Sequence, residues 1–147
     1  MTNGKFEEEW KSLKKNNEHH SFNYSNPSTS ARKIITAHFK GMQRQDKHGV
    51  YVIRQESTSE VLYVGKSGTV DQRGRFKDQN IPDRLKNVKG RVSSNAWFSS
   101  LVEEKGPLII EYVFLAATPK APALAEALLL QAYLNEHGCL PYCNRLF

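Results

Sequence analysis

Apolar positions recur at helical spacing near the start of the chain. Over residues 5–16, Phe6, Trp10 and Leu13 fall on one stripe, and glutamates lead while lysines follow, in the order a helix dipole favours. The polar run HHSFNYSNPSTS, with Pro27 and its serines, reads as a break. A serine or threonine then caps a second helix from Ala31 to Met42. From Gly49 the period shortens. GVYVI and EVLYVG read as two strands joined by RQESTS, a hairpin. The insert GKSGTVDQRGRFKDQN has no period, and IPDRLKNV then opens a short helix with Pro82 in its first turn. Asn95 to Lys105 is a further helix, ended by Gly106-Pro107. LIIEYVFL is apolar on both faces, which predicts an interior strand of a covered sheet. A last helix runs from about Pro122 to His137 and stops at Gly138.

The order strand, strand, helix, helix, strand, helix predicts an α/β fold, a small and mainly antiparallel three-stranded sheet flanked by helices. It occupies residues 48–147, with 1–47 as a helical N-terminal extension. A chain of 147 residues buries a core without covalent staples. Its two cysteines, Cys139 and Cys143, need no bridge, so a reducing cytoplasm is the expected location. The opening MTNGKFEEEW does not read as a signal peptide. The longest apolar run, Leu124 to Tyr133, is interrupted by Glu126 and Gln131 and is too short to span a bilayer.

Charge narrows the picture. The formal net charge is +6. The stretch from Lys66 to Arg91 holds eight basic residues and only three acids, Asp71, Asp78 and Asp83. Such a footprint suits a polyanion and nominates Arg73, Arg75, Lys77, Lys86, Lys89 and Arg91 as nucleic-acid contacts. A solvated loop and helix surface is the competing reading.

Several residues carry chemistry. Tyr51 and Tyr63 stand at matching places, in Gly49-Val50-Tyr51 and Tyr63-Val64-Gly65, so paired strands would let two phenols meet. Sheet packing is the alternative for either alone. Gly65-Lys66-Ser67-Gly68 lacks the full GxxxxGK[ST] spacing, which excludes a nucleotide triphosphatase of that kind. Lys66 still leaves the strand beside a tyrosine, where a cation lowers a phenol's pKa or holds a phosphate. Glu126 lies in a helix apolar on nearly every side, with Leu129, Leu130 and Tyr133 on its own face. That pattern predicts a largely buried carboxylate, which requires a cation, a proton or a metal. Arg84, beside Ile81, Leu85 and Val88, sits where a guanidinium is able to grip a phosphate bidentately. His137, Cys139 and Cys143 lack a fourth ligand at zinc spacing, and His19-His20 has no accompanying ligand set.

Taken in order, these elements resemble the GIY-YIG nuclease family over Gly49 to about Asn144, some two-thirds of the chain. GVY matches the first signature and YVG the second. Arg84, in DRL, matches the family's arginine, Glu126 its metal-binding glutamate and Asn144 an asparagine near the domain's end. The long gap between YVG and the arginine resembles the restriction-enzyme branch. Arg73 and Arg75 lie nearer YVG, but in a glycine-broken loop. The resemblance implies a DNA endonuclease with one Mg²⁺ or Mn²⁺ held by Glu126. In that scheme Arg84 steadies the phosphorane charge, Tyr51 activates water with help from Lys66 or a metal-coordinated water, Tyr63 positions the phosphate or water, and Asn144 completes the set. A phenol of pKa about 10 is a poor base at neutral pH, so the scheme requires local positive charge. The family's histidine or tyrosine one turn after the arginine is Val88 here. That departure keeps open a non-catalytic nucleic-acid-binding module, or an interaction protein in which Glu126 and Arg84 merely pair. With no separate recognition domain evident, the expected partner is DNA, met as a homodimer or by structure selection.

Overall fold

The sheet has four strands, one more than the pattern of apolar positions predicts. A computed structural model describes residues 5–42, 48–76, 80–86 and 93–146. Its strands are β1 (His19–Tyr24), β2 (Gly49–Gln55), β3 (Val61–Ser67) and β4 (Leu108–Phe114), antiparallel throughout in the order β1-β4-β2-β3. The additional strand is β1, within the stretch that reads as a polar break. Its ladder with β4 runs from His19 opposite Val113 to Tyr24 opposite Leu108. Of its side chains only Tyr24 is buried, so no alternation betrays it. β4 is interior, as its two-sided apolar character predicts.

A bulge sets which side chains reach which face. Ile53 pairs with Tyr63 but Arg54 with Val61, so Leu62 is the extra residue on β3. Val61 and Val64 thereby share one face with Val50, Val52 and Val113. Leu62 and Tyr63 join Tyr51, Ile53, Leu108, Ile110, Tyr112 and Phe114 on the other.

Helices cover both faces. α1 (Lys5–Asn16) and α5 (Pro122–His137) pack on the valine face through Phe6, Trp10, Leu13, Ala125, Leu129 and Tyr133. Burying a side chain such as Phe6 or Leu13 contributes about 1.5–3 kcal/mol. α2 (Ala31–Phe39), α3 (Ile81–Lys86) and α4 (Ser94–Lys105) pack on the aromatic face, which holds Ala31, Ile35, Phe39, Ile81, Leu85 and Phe98. Ser30 caps α2 by accepting from the Lys33 amide, and Ser93 caps α4 by accepting from the Ala96 amide. α2 ends at Phe39, earlier than its apolar period suggests, before Gly41 at φ 85°. A 3-10 turn, Tyr142–Leu146, closes the chain. Among the described residues no helix is long and apolar enough to cross a membrane.

The segment before residue 48 supplies one strand and two helices to these layers, and a polar bond network locks α1 down. Arg54, only 7% exposed, donates from Nε to Glu111 at 3.0 Å and from both terminal nitrogens to Glu7 at 2.8 Å. The Trp10 indole N–H donates to the same Glu111 carboxylate at 2.8 Å. Burial opposes the guanidinium's charge, yet the two carboxylates hold its pKa above the ordinary value. Removing the guanidinium leaves Glu111 with the indole alone. Arg54→Ala is expected to lower the unfolding free energy by about 3 kcal/mol, seen as a fall in the urea midpoint at unchanged m-value. Glu7→Ala should cost about 1 kcal/mol or less, because the Glu7 side chain is 52% exposed.

Candidate active site

Two glycines on the central hairpin are dictated by crowding. A Cβ at Gly49 would sit 1.8 Å from the Val113 carbonyl oxygen on β4. At Gly65 it would meet the Tyr51 ring, with Cζ and Oη both at 2.5 Å. Tyr51 pairs with Gly65 across the ladder, so its phenol lies over the glycine, inside the space a side chain would fill. Gly68, at φ 96°, turns the chain off β3 against His48 and Phe76.

That packing brings the two tyrosines together. Their ring centroids are 6.0 Å apart and both are 3% exposed. Arg84 on α3 and Glu126 on α5 are near enough for their charges to act on both phenols, Arg84 pulling the pKa values down and Glu126 pushing them up. Residues from β2, β3, α3 and α5, spread over 76 positions, thus converge on one spot.

The electrostatics of the pair run opposite to the expected positive environment. Burial is the largest influence on Tyr51, and it raises the pKa; the neighbouring Tyr63 raises it further and only Arg84 opposes. Tyr63 is raised too, again chiefly by burial. The two rings lie side by side, tilted at 47° to one another, so each phenol shields the other from water. Both hydroxyls therefore hold their protons at neutral pH. Lys66 does not join them. It alternates onto the face of Val64, away from Tyr63 and Gly65, and is not among the charges that act on either phenol.

Arg84 is placed by its helix. Asn80 receives the Asp83 amide on its side chain and the Arg84 amide on its carbonyl, starting α3. At the other end, Ser94 Oγ donates to the Leu85 carbonyl at 2.9 Å and Arg32 Nη1 to the Lys86 carbonyl at 3.1 Å. Glu126 is half-buried, less than its apolar helix predicts, because Leu124, Leu128 and Leu134 on the same helix are exposed. Asn144 is bonded to the backbone of β3. Its Nδ2 donates to the Val64 carbonyl and its Oδ1 accepts from the Val64 amide, each at 2.9 Å, so it clasps the free edge of β3.

The basic residues divide. Arg73 and Arg75 are exposed on a tight turn closed by the Val70–Phe76 bridge, where Asp71 accepts from both their amides. Lys86 is half-buried at the end of α3. Lys77, Lys89, Arg91 and Val88 lie outside the described residues. The sequence pattern missed Trp97, whose ring stands edge-on to Tyr63 at 5.7 Å; a lone tryptophan in a polar helix gives no sign of that neighbour. Among the described residues no three histidines, cysteines or carboxylates gather as a metal cluster. No family model matches the chain, and neither a curated protein nor a solved structure matches it.

Gly65→Ala must displace the Tyr51 ring, and is expected to perturb the near-ultraviolet tyrosine signal while the far-ultraviolet spectrum stays folded. In an alkaline titration Tyr51→Phe should leave unchanged the number of phenols ionising at about pH 9–11, because native Tyr51 is not one of them. Native Tyr51 keeps its proton where the unfolded phenol loses it. Its contribution to stability is therefore full below about pH 10 and falls as pH rises beyond. A lost ionisation in the mutant titration would show Tyr51 to be an ordinary phenol.

Proposed function

We propose that this chain is a metal-dependent DNA endonuclease of the GIY-YIG type. The observation that carries the reading is the meeting of Tyr51, Tyr63, Arg84 and Glu126 at one place from four separate elements. A merely structural pair of Arg84 and Glu126 does not call for two adjacent strand tyrosines beside it, nor for a glycine kept bare under one of them.

The residues fit a hard divalent ion. One half-buried carboxylate offers oxygen donors, and Mg²⁺ commonly takes one or two carboxylates and fills its remaining positions with water and substrate phosphate. Glu126 would hold it. When bound, such an ion supplies Lewis acidity at the phosphate. Everything else falls to the chain. Arg84 presents a guanidinium to the equatorial oxygens, where charge grows as the phosphorane forms. Tyr51, protonated, packs beside Tyr63 with ring centroids 6.0 Å apart and holds that ring in place. Tyr63 then donates to the phosphate or to the attacking water. Neither tyrosine accepts the water's proton in this account, since burial keeps both neutral. Arg73, Arg75 and Lys86 supply phosphate contacts along the strand. A homodimer would present two such sites to a duplex.

Cleavage of plasmid or branched DNA with Mg²⁺ or Mn²⁺, against an EDTA control, is the direct test. Glu126→Gln should abolish metal-dependent cleavage while leaving the fold intact. Arg84→Ala should lower kcat by about 10²–10³ and DNA affinity far less, as befits a contact that strengthens in the transition state. DNA binding with no cleavage in the wild type would instead favour a binding module.

A further inference from the structure

A cleft of ≈ 290 Å³ opens between α4 and the closing 3-10 turn, bounded by Trp97, Ser100, Leu101, Glu104, Tyr142 and Cys143. We propose that it receives one unstacked nucleobase of bound DNA, next to the phosphodiester held at the tyrosine pair. This inference rests on the nuclease reading and adds to it a site for selecting the substrate.

Position is the first argument. Trp97 forms a wall of the cleft and also stands against Tyr63, with ring centroids 5.7 Å apart. Cys143, another lining residue, is close enough to influence the Tyr63 hydroxyl. The cleft and the phenols therefore share a partition. A nucleotide whose phosphate lies at Tyr63 carries its own base within reach of that partition.

Chemistry is the second. Trp97 and Tyr142 are half-buried aromatics whose rings offer a sequence-tolerant surface for a base. The space approaches the lower end of small-molecule clefts, about 300–1,000 Å³, and suits one planar heterocycle better than a larger ligand. The Glu104 carboxylate accepts from the Tyr142 hydroxyl at 2.5 Å, and its acceptor capacity is not exhausted by one donor. An ionised carboxylate rewards amino groups, so cytosine, adenine and guanine are favoured over thymine. Lys105 lies over the Tyr142 ring at 4.6 Å and Arg145 at 5.7 Å, placing two cations where flanking phosphates would run. The buried Cys143 thiol, pushed up to about 12 mainly by desolvation, adds a neutral surface and no competing charge.

The experiment has two arms. In the first, wild-type protein in EDTA is titrated with short duplex and single-stranded oligonucleotides while tryptophan fluorescence is followed. Trp10, on the buried side of α1, is 1% exposed and bonded to Glu111, so a change in emission reports Trp97. The expected result is saturable quenching, lost in Tyr142→Ala and retained in Arg54→Ala. In the second arm, single-turnover cleavage in Mg²⁺ is compared for substrates differing only in the base beside the scissile phosphate. Wild type should prefer amine-bearing bases over thymine by about tenfold, and Glu104→Gln should erase that preference with little loss on thymine. Glu104 is exposed, so this variant is expected to fold even where Tyr142→Ala does not. Intact cleavage with unaltered Trp97 emission at saturating DNA, or an unchanged base preference in Glu104→Gln, overturns the base site and leaves the nuclease standing. Failure to bind or cleave any DNA overturns both.

Discussion

Tyr51 faces Gly65 across the β2–β3 ladder, and the missing Cβ at Gly65 leaves room for a phenol to lie on the sheet itself. The rest of the candidate site follows from that contact. A ring whose hydroxyl end sits over Gly65 lies with its centroid 6.0 Å from that of Tyr63, two residues back on the same strand. Because side chains alternate, a shift of register by one residue would send Tyr51 to the valine face and dissolve the pair. Three features oppose such a shift. The bulge at Leu62 pins the far end of the hairpin, Gly49 is pressed against Val113 at the near end, and Asn144 clasps Val64 on the open edge between them.

The helices bring in the charged members from opposite sides of the sheet. α3 belongs to the aromatic face and carries Arg84, whereas α5 belongs to the valine face and carries Glu126. β3 is an edge strand, so groups from both layers are able to approach the same phenols around it. An interior strand would keep the two layers apart. The N-terminal segment takes part at a distance. Arg32 on α2 and Ser94 on α4 donate to the last carbonyls of α3, a helix of six residues too short to hold itself in water. α1, fastened by the Arg54 network, packs against α5 and fixes the helix that bears Glu126.

Legibility in the sequence tracked the local share of each element's stability. α1, α4 and α5 announce themselves through caps, stop signals and apolar spacing, and appear within a residue or so of their expected limits. The β2–β3 hairpin does so through two runs of β-branched and aromatic residues and the polar turn between them. β1 was invisible because HHSFNY is mostly exposed, and its existence depends on pairing with a strand 84 to 94 residues away. Tyr51, Tyr63, Arg84 and Glu126, singled out by motif order, stand near enough for the two charges to act on both phenols. The reading of Lys66 and Asn144 as chemical partners did not anticipate strand alternation in the first case, or an unpaired sheet edge in the second. Trp97 could not be foreseen, since its neighbour Tyr63 is set by how α4 docks on the sheet.

Burial of the tyrosines constrains any chemistry placed beside them. The same exclusion of water that raises both phenols strengthens what a fixed hydroxyl dipole does to a nearby charge. A base would need the opposite, a dense cationic setting or access to solvent, and the described surroundings provide Arg84 against the opposing charge of Glu126. The two charges oppose one another at the phenols, Arg84 acting the more strongly. A phosphodiester arriving there adds negative charge, which makes ionisation of either tyrosine still less favourable. The site thus hardens as donor and guanidinium on binding its proposed substrate. In the proposed nuclease, proton removal from an attacking water would rest on groups other than the tyrosine pair, and the phenols would serve to aim it.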